Sequence, residues 1–451
     1  MRSLSEELAR FVADLTYEDV PLEVRAKART CVLDTLGAGL AGSRTDEGRR
    51  VIAAVGDYDA GQSASLWGVA RRASAPAAAL VNGTLAHTRE LDDFGGCGHS
   101  GAVVVPAALA VAEHAGASGR QFLLAVVAGY EVAARVTEGA GGYTRHNARG
   151  WHSTGTCGSF GAAAAAAKIM GLDVERAASA IALAGSFTGG LWAFLGDGAM
   201  SKRLHPGKAA ETGVVAAYLA KKGFTGPREI LEADYGGFFS TYVPRESDPD
   251  AVLKDLGTEF RIMDSGFKPY ACCRSVHGAL DGLFEIMRKH RLAADGVEAI
   301  IVRGTEEMKL QVGRPIARNT LEAQMSLPYS LAVGLLAGRA SLMEYDAQWL
   351  SDPRVHGLMP KITMVADSSF VTEEQTEVEV ATTAGDRYAS GTKYATGHPR
   401  NPMTETDIEA KFALLAGLAL PPASVGRLTE MVRDLERLAT VRELAQLLAV
   451  H

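Results

Sequence analysis

Residues 158–171 read Gly-Ser-Phe-Gly, six consecutive alanines from Ala162 to Ala167, then Lys-Ile-Met-Gly. Alanine is the strongest intrinsic helix former, so the run predicts a helix. Small side chains on every face leave that helix no stripe of its own to bury, so it packs closely among other helices. The run commits the chain to a multi-helix body. Apolar residues at helical spacing predict further helices over Leu4–Leu15, Pro21–Gly42, Ala75–Leu91, Val104–Ala115, Gly119–Thr137 and Ala209–Lys221. Gly42, Gly116 and Gly223 mark stops. The stretch Ala177–Gly196 has twenty residues without a charge, but Gly185, Gly189 and Gly190 break it. It is expected to be a buried helix and a glycine-rich loop, not a membrane span.

After about residue 260 the texture changes. Strands are expected at Val297–Val302, Ile362–Val365, Thr376–Ala381 and Arg387–Ser390, with helices over Ser275–Lys289 and Thr320–Leu336. The alternation Glu377-Val378-Glu379-Val380 marks a strand with one exposed face. Helical periodicity returns from Glu405. The fold class expected is mainly α. A large all-helical domain built from both chain ends (1–262 plus 396–451) carries an inserted, smaller α+β lid domain (263–395).

The net charge of −7 argues against a nucleic-acid partner, which needs a broad basic face. Cys31, Cys97, Cys157, Cys272 and Cys273 are odd in number and form no CxxC, and no signal peptide precedes residue 20. A reducing cytoplasm is the expected compartment. Neither iron–sulfur nor zinc ligand spacing is visible, so no metal is expected.

Against the acidic background, Ser201-Lys202-Arg203-Leu204-His205-Pro206-Gly207-Lys208 concentrates cations before the helix expected from Ala209. A proline and a glycine at a helix entrance leave backbone N–H groups for an anion. Glu90-Leu91-Asp92-Asp93-Phe94 places acids at a helix C-terminus, where they oppose the dipole and need a cationic partner; a glycine loop then leads to His99. His152 follows Trp151 at the start of the alanine-rich helix, with Tyr143 and Arg145 just upstream. Phe267-Lys268-Pro269-Tyr270-Ala271-Cys272-Cys273-Arg274 lies where the texture changes, placing Lys268 in an interdomain cleft. A shielded lysine near other cations has a lowered pKa and acts as a base.

The ordered motifs ELDDFGGCGHSGAVVVPAALA, GWHSTGTCGSFGAAAAAAK, KRLHPGKAAETGVVAAYLA, FKPYACCRSVHGALDG and SLPYSLAVGLL make the chain resemble the MmgE/PrpD family over nearly its whole length. That family includes 2-methylcitrate dehydratase, cis-aconitate decarboxylase and iminodisuccinate epimerase. The resemblance implies a cofactor-free enzyme acting beside a carboxylate of a small di- or tricarboxylate, and a homodimer. It maps pocket residues onto His99, His152, Lys202, Lys268 and Tyr329, with Asp93 in the acidic motif. Lys268, His152, Tyr143, His99 and Asp93 are therefore the catalytic candidates, and Lys202, Arg203, Arg145, Arg274 and Tyr329 the substrate-binding ones. The loop from Asp93 to His99 is short and glycine-rich. Phe94 stands where the family has a polar residue, and Ser100 where a proline usually follows the histidine. These departures put an epimerase of the iminodisuccinate type first. Dehydration of 2-methylcitrate type, decarboxylation of cis-aconitate type and non-catalytic polyanion binding follow as alternatives.

Overall fold

Glycines set how the helices cross in the computed structural model, which describes residues 2–370, 372 and 375–449. A Cβ placed on Gly161, in the helix Gly158–Ile169, would lie 2.5 Å from the carbonyl oxygen of Gly129, in the helix Gly119–Gly139. The two backbones touch, and Ala162 to Ala167 are all buried around that crossing. A glycine inside a helix costs about 1 kcal/mol relative to alanine. Here the close approach offsets that cost, because a methyl group at the crossing would push the helices apart.

The same device joins Ala75–His87 to Ser201–Lys221. A Cβ on Gly207 would meet Leu80 O at 2.2 Å, and one on Gly83 would meet Gly207 Cα at 2.8 Å. Gly207 is thus a crossing point and not a helix entrance. The helix begins at Ser201, not Ala209, and carries Pro206 in its second turn. Proline lacks the N–H that the Lys202 carbonyl would have received, but its fixed φ suits the early turns. The helix Ser100–Ala115 likewise starts four residues before the expected Val104 and contains Pro106. Ala75–His87 stops short of Leu91, which leaves residues 88–99 as a buried loop.

The uncharged stretch resolves into the helix Val174–Phe187, a Thr188-Gly189-Gly190 break and a 3₁₀ turn over Trp192–Gly196. Among the described residues no helix is long and apolar enough to cross a membrane.

A two-stranded ribbon pairs β1 (Ala64–Ser65) with β2 (Arg72–Ala73). The larger sheet comprises β3 (Val297–Gly304), β4 (Ile362–Ala366), β5 (Thr376–Thr382) and β6 (Arg387–Thr392), in the order β4-β3-β5-β6. β3 and β4 run parallel, and the other pairs are antiparallel. Val378 and Val380 of β5 are buried while Glu377 and Glu379 are paired by Arg303, as the alternation requires. The helices His277–His290 and Leu327–Ala337 pack against this sheet. The second is separated from Thr320–Gln324 at Met325-Ser326, because Ser326 caps a new helix start beside Pro328.

The fold is mainly α, with a smaller α+β part inserted in a helical body. One apolar core gathers residues from Leu8 to Phe267 and again from Ile408 to Leu448. A second gathers Ala271 to Val380, joined by Ala41, Leu91, Phe194 and Leu415. Lys411, in the helix Glu405–Ala416, reaches back to Asp34 Oδ1 at 2.6 Å and Leu91 O at 2.5 Å. The chain end thereby braces the buried loop that carries the acids.

Candidate active site

The Gly83–Gly207 crossing brings the end of one helix against the first turn of another, and the two meet at Glu90. Its carboxylate is 1% exposed, and its backbone sits at φ 54°, a strained value for a residue with a Cβ. Oε1 accepts hydrogen bonds from both Lys202 Nζ and Arg203 Nη1, and Oε2 accepts from Lys268 Nζ at 3.1 Å. Three cations from two chain segments therefore share one buried acid. Burial pushes the Glu90 pKa up, but the surrounding cations outweigh it and hold the carboxyl well below its usual range.

Lys202 and Lys268 differ in a way the sequence reading reversed. Burial lowers the Lys268 pKa, yet Glu90 and Asp92 more than compensate, and the net shift is upward. Burial also lowers that of Lys202, which shares Oε1 with Arg203 and is repelled by Arg203 and Lys268; its net shift is downward. Lys268 is thus the firmly charged lysine, and Lys202 the one that gives up its proton more easily.

Facing these cations are imidazoles. His87 Nδ1 and His99 Nδ1 lie 2.9 and 3.1 Å from the same Asp92 Oδ2, so each carries its proton on Nδ1 and turns Nε2 away from the acid. His152 Nδ1 is 2.9 Å from His205 Nδ1. Burial holds His87 at about 3, and burial together with neighbouring positive groups, His205 first, drives His152 well down. His205 itself lies at about 4, mainly through burial. One ring nitrogen from each of His87, His99 and His152 lies within 4.8 Å of the others. This trio could hold a metal ion. Its members are scattered over 65 positions of sequence, so no local spacing betrays it.

A cavity of about 250 Å³ is lined by His99, Tyr143, His152, Lys202, Lys268 and Arg274, together with Glu90, Trp192, Cys273 and His398. Six of the ten sequence candidates thus face one space. The other four do not line it. Asp93 lies behind His99, where its Oδ2 accepts from Tyr130 Oη at 2.6 Å and its Oδ1 from Gly101 N at 2.9 Å. Burial raises its pKa to about 7. Arg203 is spent on Glu90 and Gln324. Arg145 lies exposed on the helix Gly142–Ala148. Tyr329 is fully buried in the second core, where its hydroxyl donates to Glu344 O at 2.9 Å.

The local departures have structural reasons. Phe94 lies under Arg274, whose guanidinium carbon is 4.1 Å from the ring centroid and whose N–H groups donate to Ala395 O and Thr396 O. Ser100 Oγ accepts from Cys97 N at 3.2 Å and donates to Gly95 O at 3.3 Å. It closes a loop in which Gly95, Gly96 and Gly98 all take positive φ. Sequence reasoning quoted Glu90, Asp92 and His205 but did not choose them, and missed His87 and Trp192. The demand of a helix-end acid for a cation was the one signal pointing to Glu90.

The sequence models of the MmgE/PrpD N-terminal and C-terminal domains match residues 6–249 and 270–437. The chain belongs to the MmgE/PrpD family. A family member from Aspergillus oryzae named cis-aconitate decarboxylase-like protein oryM is 30% identical, over 99% of this chain and 97% of its own length. The cis-aconitate decarboxylase of Homo sapiens is 28% identical over 99% and 95%, and that of Aspergillus terreus 25% over 99% and 96%. These names favour the lyase alternatives over the epimerase placed first by the sequence reading.

Proposed function

We propose that the protein is a cofactor-independent lyase that decarboxylates a small unsaturated tricarboxylate of the cis-aconitate type. The observation that carries this is that Lys202, Lys268 and Arg274 line one cavity of about 250 Å³ together with His99 and His152. Cations suit a polyanion, and two imidazoles suit the movement of one proton. The relatives' names add weight to the same class. Phe94 and Ser100, the basis for preferring an epimerase, support the arginine and the loop locally and thus give no separate ground for that reaction.

In the proposed step, the bond from carbon to one carboxylate breaks and CO2 leaves. The released electron pair forms a new double bond, and the displaced π pair takes a proton on the carbon beside another carboxylate. Lys268 and Arg274 hold carboxylates and stabilise the charge developing on them. His152 is held neutral first by burial and then by the positive groups around it. Substrate carboxylates reverse that field and raise its affinity for a proton, which it then delivers to carbon. Lys202 is the more labile lysine and resupplies it. We also propose a homodimer, supported by the exposed apolar residues Phe187, Leu191, Met200 and Leu204, which fall within one stretch of the chain. Light scattering reporting a monomer would remove it.

Proton NMR of the chelator-treated protein with cis-aconitate in deuterated buffer tests the reaction. Vinyl methylene signals, deuterium on the saturated carbon beside a carboxylate and released CO2 are expected. Loss of water from 2-methylcitrate would move the reading to dehydration. Stereochemical exchange without loss of any group would restore the epimerase.

A further inference from the structure

Tyr143, Trp192 and His398 line the cationic cavity and also a second, larger one of about 660 Å³. The inner space falls below the roughly 300–1,000 Å³ usual for ligand pockets, as a small polyanion demands. The outer space lies well within that range. Its character is opposite. Leu195, Leu310 and Tyr394 extend its apolar wall, Thr144, Asn147, Thr305 and Gln311 add neutral polar groups, and Glu307 is the acid. Among the described lining residues no lysine or arginine is present to pair a further carboxylate.

The wall is fixed rather than loosely folded. Trp192 Nε1 donates to Asn147 Oδ1 at 2.8 Å and Trp151 O at 3.2 Å, so the indole polar edge is occupied. Arg314 Nη1 donates to Leu195 O at 3.0 Å and holds that turn. The Tyr394 ring stacks on His398 with centroids 4.7 Å apart, while its hydroxyl accepts from Arg400 Nη1 at 2.5 Å. Leu310, in the helix Glu306–Val312, is a large apolar side chain that lines this chamber and is 67% exposed.

We propose that the outer chamber is a subsite for an apolar substituent, and that the substrate is an alkyl-bearing tricarboxylate rather than the bare acid. The inference rests on the polycarboxylate reading above and names the substrate class for the same site. The three carboxylates occupy the inner cavity, and the alkyl chain passes between Tyr143, Trp192 and His398 into the chamber.

The test is isothermal titration of the intact protein with two non-reacting probes, propane-1,2,3-tricarboxylate and its butyl-substituted analogue. Each buried methylene is worth roughly fourfold in affinity, so the butyl compound should bind at least about tenfold more tightly. Leu310→Asp should remove most of that advantage while leaving the Kd of the unsubstituted probe unchanged. Leu310 is exposed, so the variant is expected to fold. Equal affinity for both probes in the wild-type protein overturns the inference, as does an advantage that survives Leu310→Asp. Turnover of butyl-cis-aconitate is followed in parallel. A binding advantage with no CO2 released would keep the subsite and sink the decarboxylase. CO2 from cis-aconitate without any butyl preference would keep the decarboxylase and sink the subsite.

Discussion

Replacing Glu90 by glutamine keeps the shape of the side chain and removes one charge. The three cations it serves are almost completely buried, with side-chain exposures of 3%, 1% and 0% for Lys202, Arg203 and Lys268. Removing one partner of a buried pair costs about 3–5 kcal/mol, because the remaining charge is stranded. Glutamine also keeps the strained φ of 54°, so no strain is relieved. Glu90→Gln should therefore lose about 3–5 kcal/mol, a large share of the roughly 5–15 kcal/mol available to a folded domain. Urea denaturation at pH 7 reads this as a fall in midpoint. Glu90→Asp, which retains the charge on a shorter arm, should recover part of it. The kinetic consequence is specific: without Glu90 the attraction that holds Lys268 above its ordinary pKa disappears, and the lysines lose protons at lower pH. The basic limb of the pH–rate profile should shift downward. A Glu90→Gln protein within 1 kcal/mol of wild type, with an unchanged profile, would refute the claim that this acid sustains the cation cluster.

Other expectations follow from the same geometry. His152→Gln should lower kcat by about 10²–10⁴ with little change in KM if the imidazole moves the proton; a raised KM at constant kcat would make it a binding group. His87, held at about 3 by burial, binds its proton more weakly folded than unfolded, where 6.5 applies. Its contribution is complete above pH 6.5 and is lost, by about 1.4 kcal/mol per pH unit, as pH falls toward 3. Asp93, raised to about 7, acts in the opposite sense between its ordinary 3.8 and 7. Relative to wild type, the slope of the urea midpoint against pH from 5 to 6.5 should therefore become more negative in His87→Gln and more positive in Asp93→Asn. Dialysis against a chelator should leave turnover unchanged; loss restored by zinc would place a metal on His87, His99 and His152.

The helical body was legible because its signal is local. The alanine run, the periodic apolar positions and the Glu377–Val380 alternation each report on their own element. Four of the six cavity-lining candidates were legible because histidines and lysines in glycine- or proline-punctuated segments stand out in an alanine-rich chain, and Tyr143 and Arg274 came in as their chain neighbours. Long-range electrostatics were not. Lys202 and Lys268 look alike in sequence, and what separates them is long-range: Asp92 adds to the pull of Glu90 on Lys268, while Arg203 and Lys268 repel Lys202. The helix start at Ser201 was hidden by Pro206-Gly207, which reads as a break but serves as a contact with Leu80 and Gly83. Tyr329 came from the family pattern, and its side chain belongs to the second core.

The contact between Gly83 and Gly207 sets the spacing of a site that neither residue touches. Gly207→Ala would insert a methyl group where Leu80 O already stands at 2.2 Å, separating the segment that ends in Glu90 from the one that begins with Lys202. A protein so altered could keep its secondary structure and every catalytic side chain, and still lose turnover through misregistered charges. In a mutational survey of activity, these two glycines should score like active-site residues. A map of tolerance drawn by distance from the cavity would misplace them.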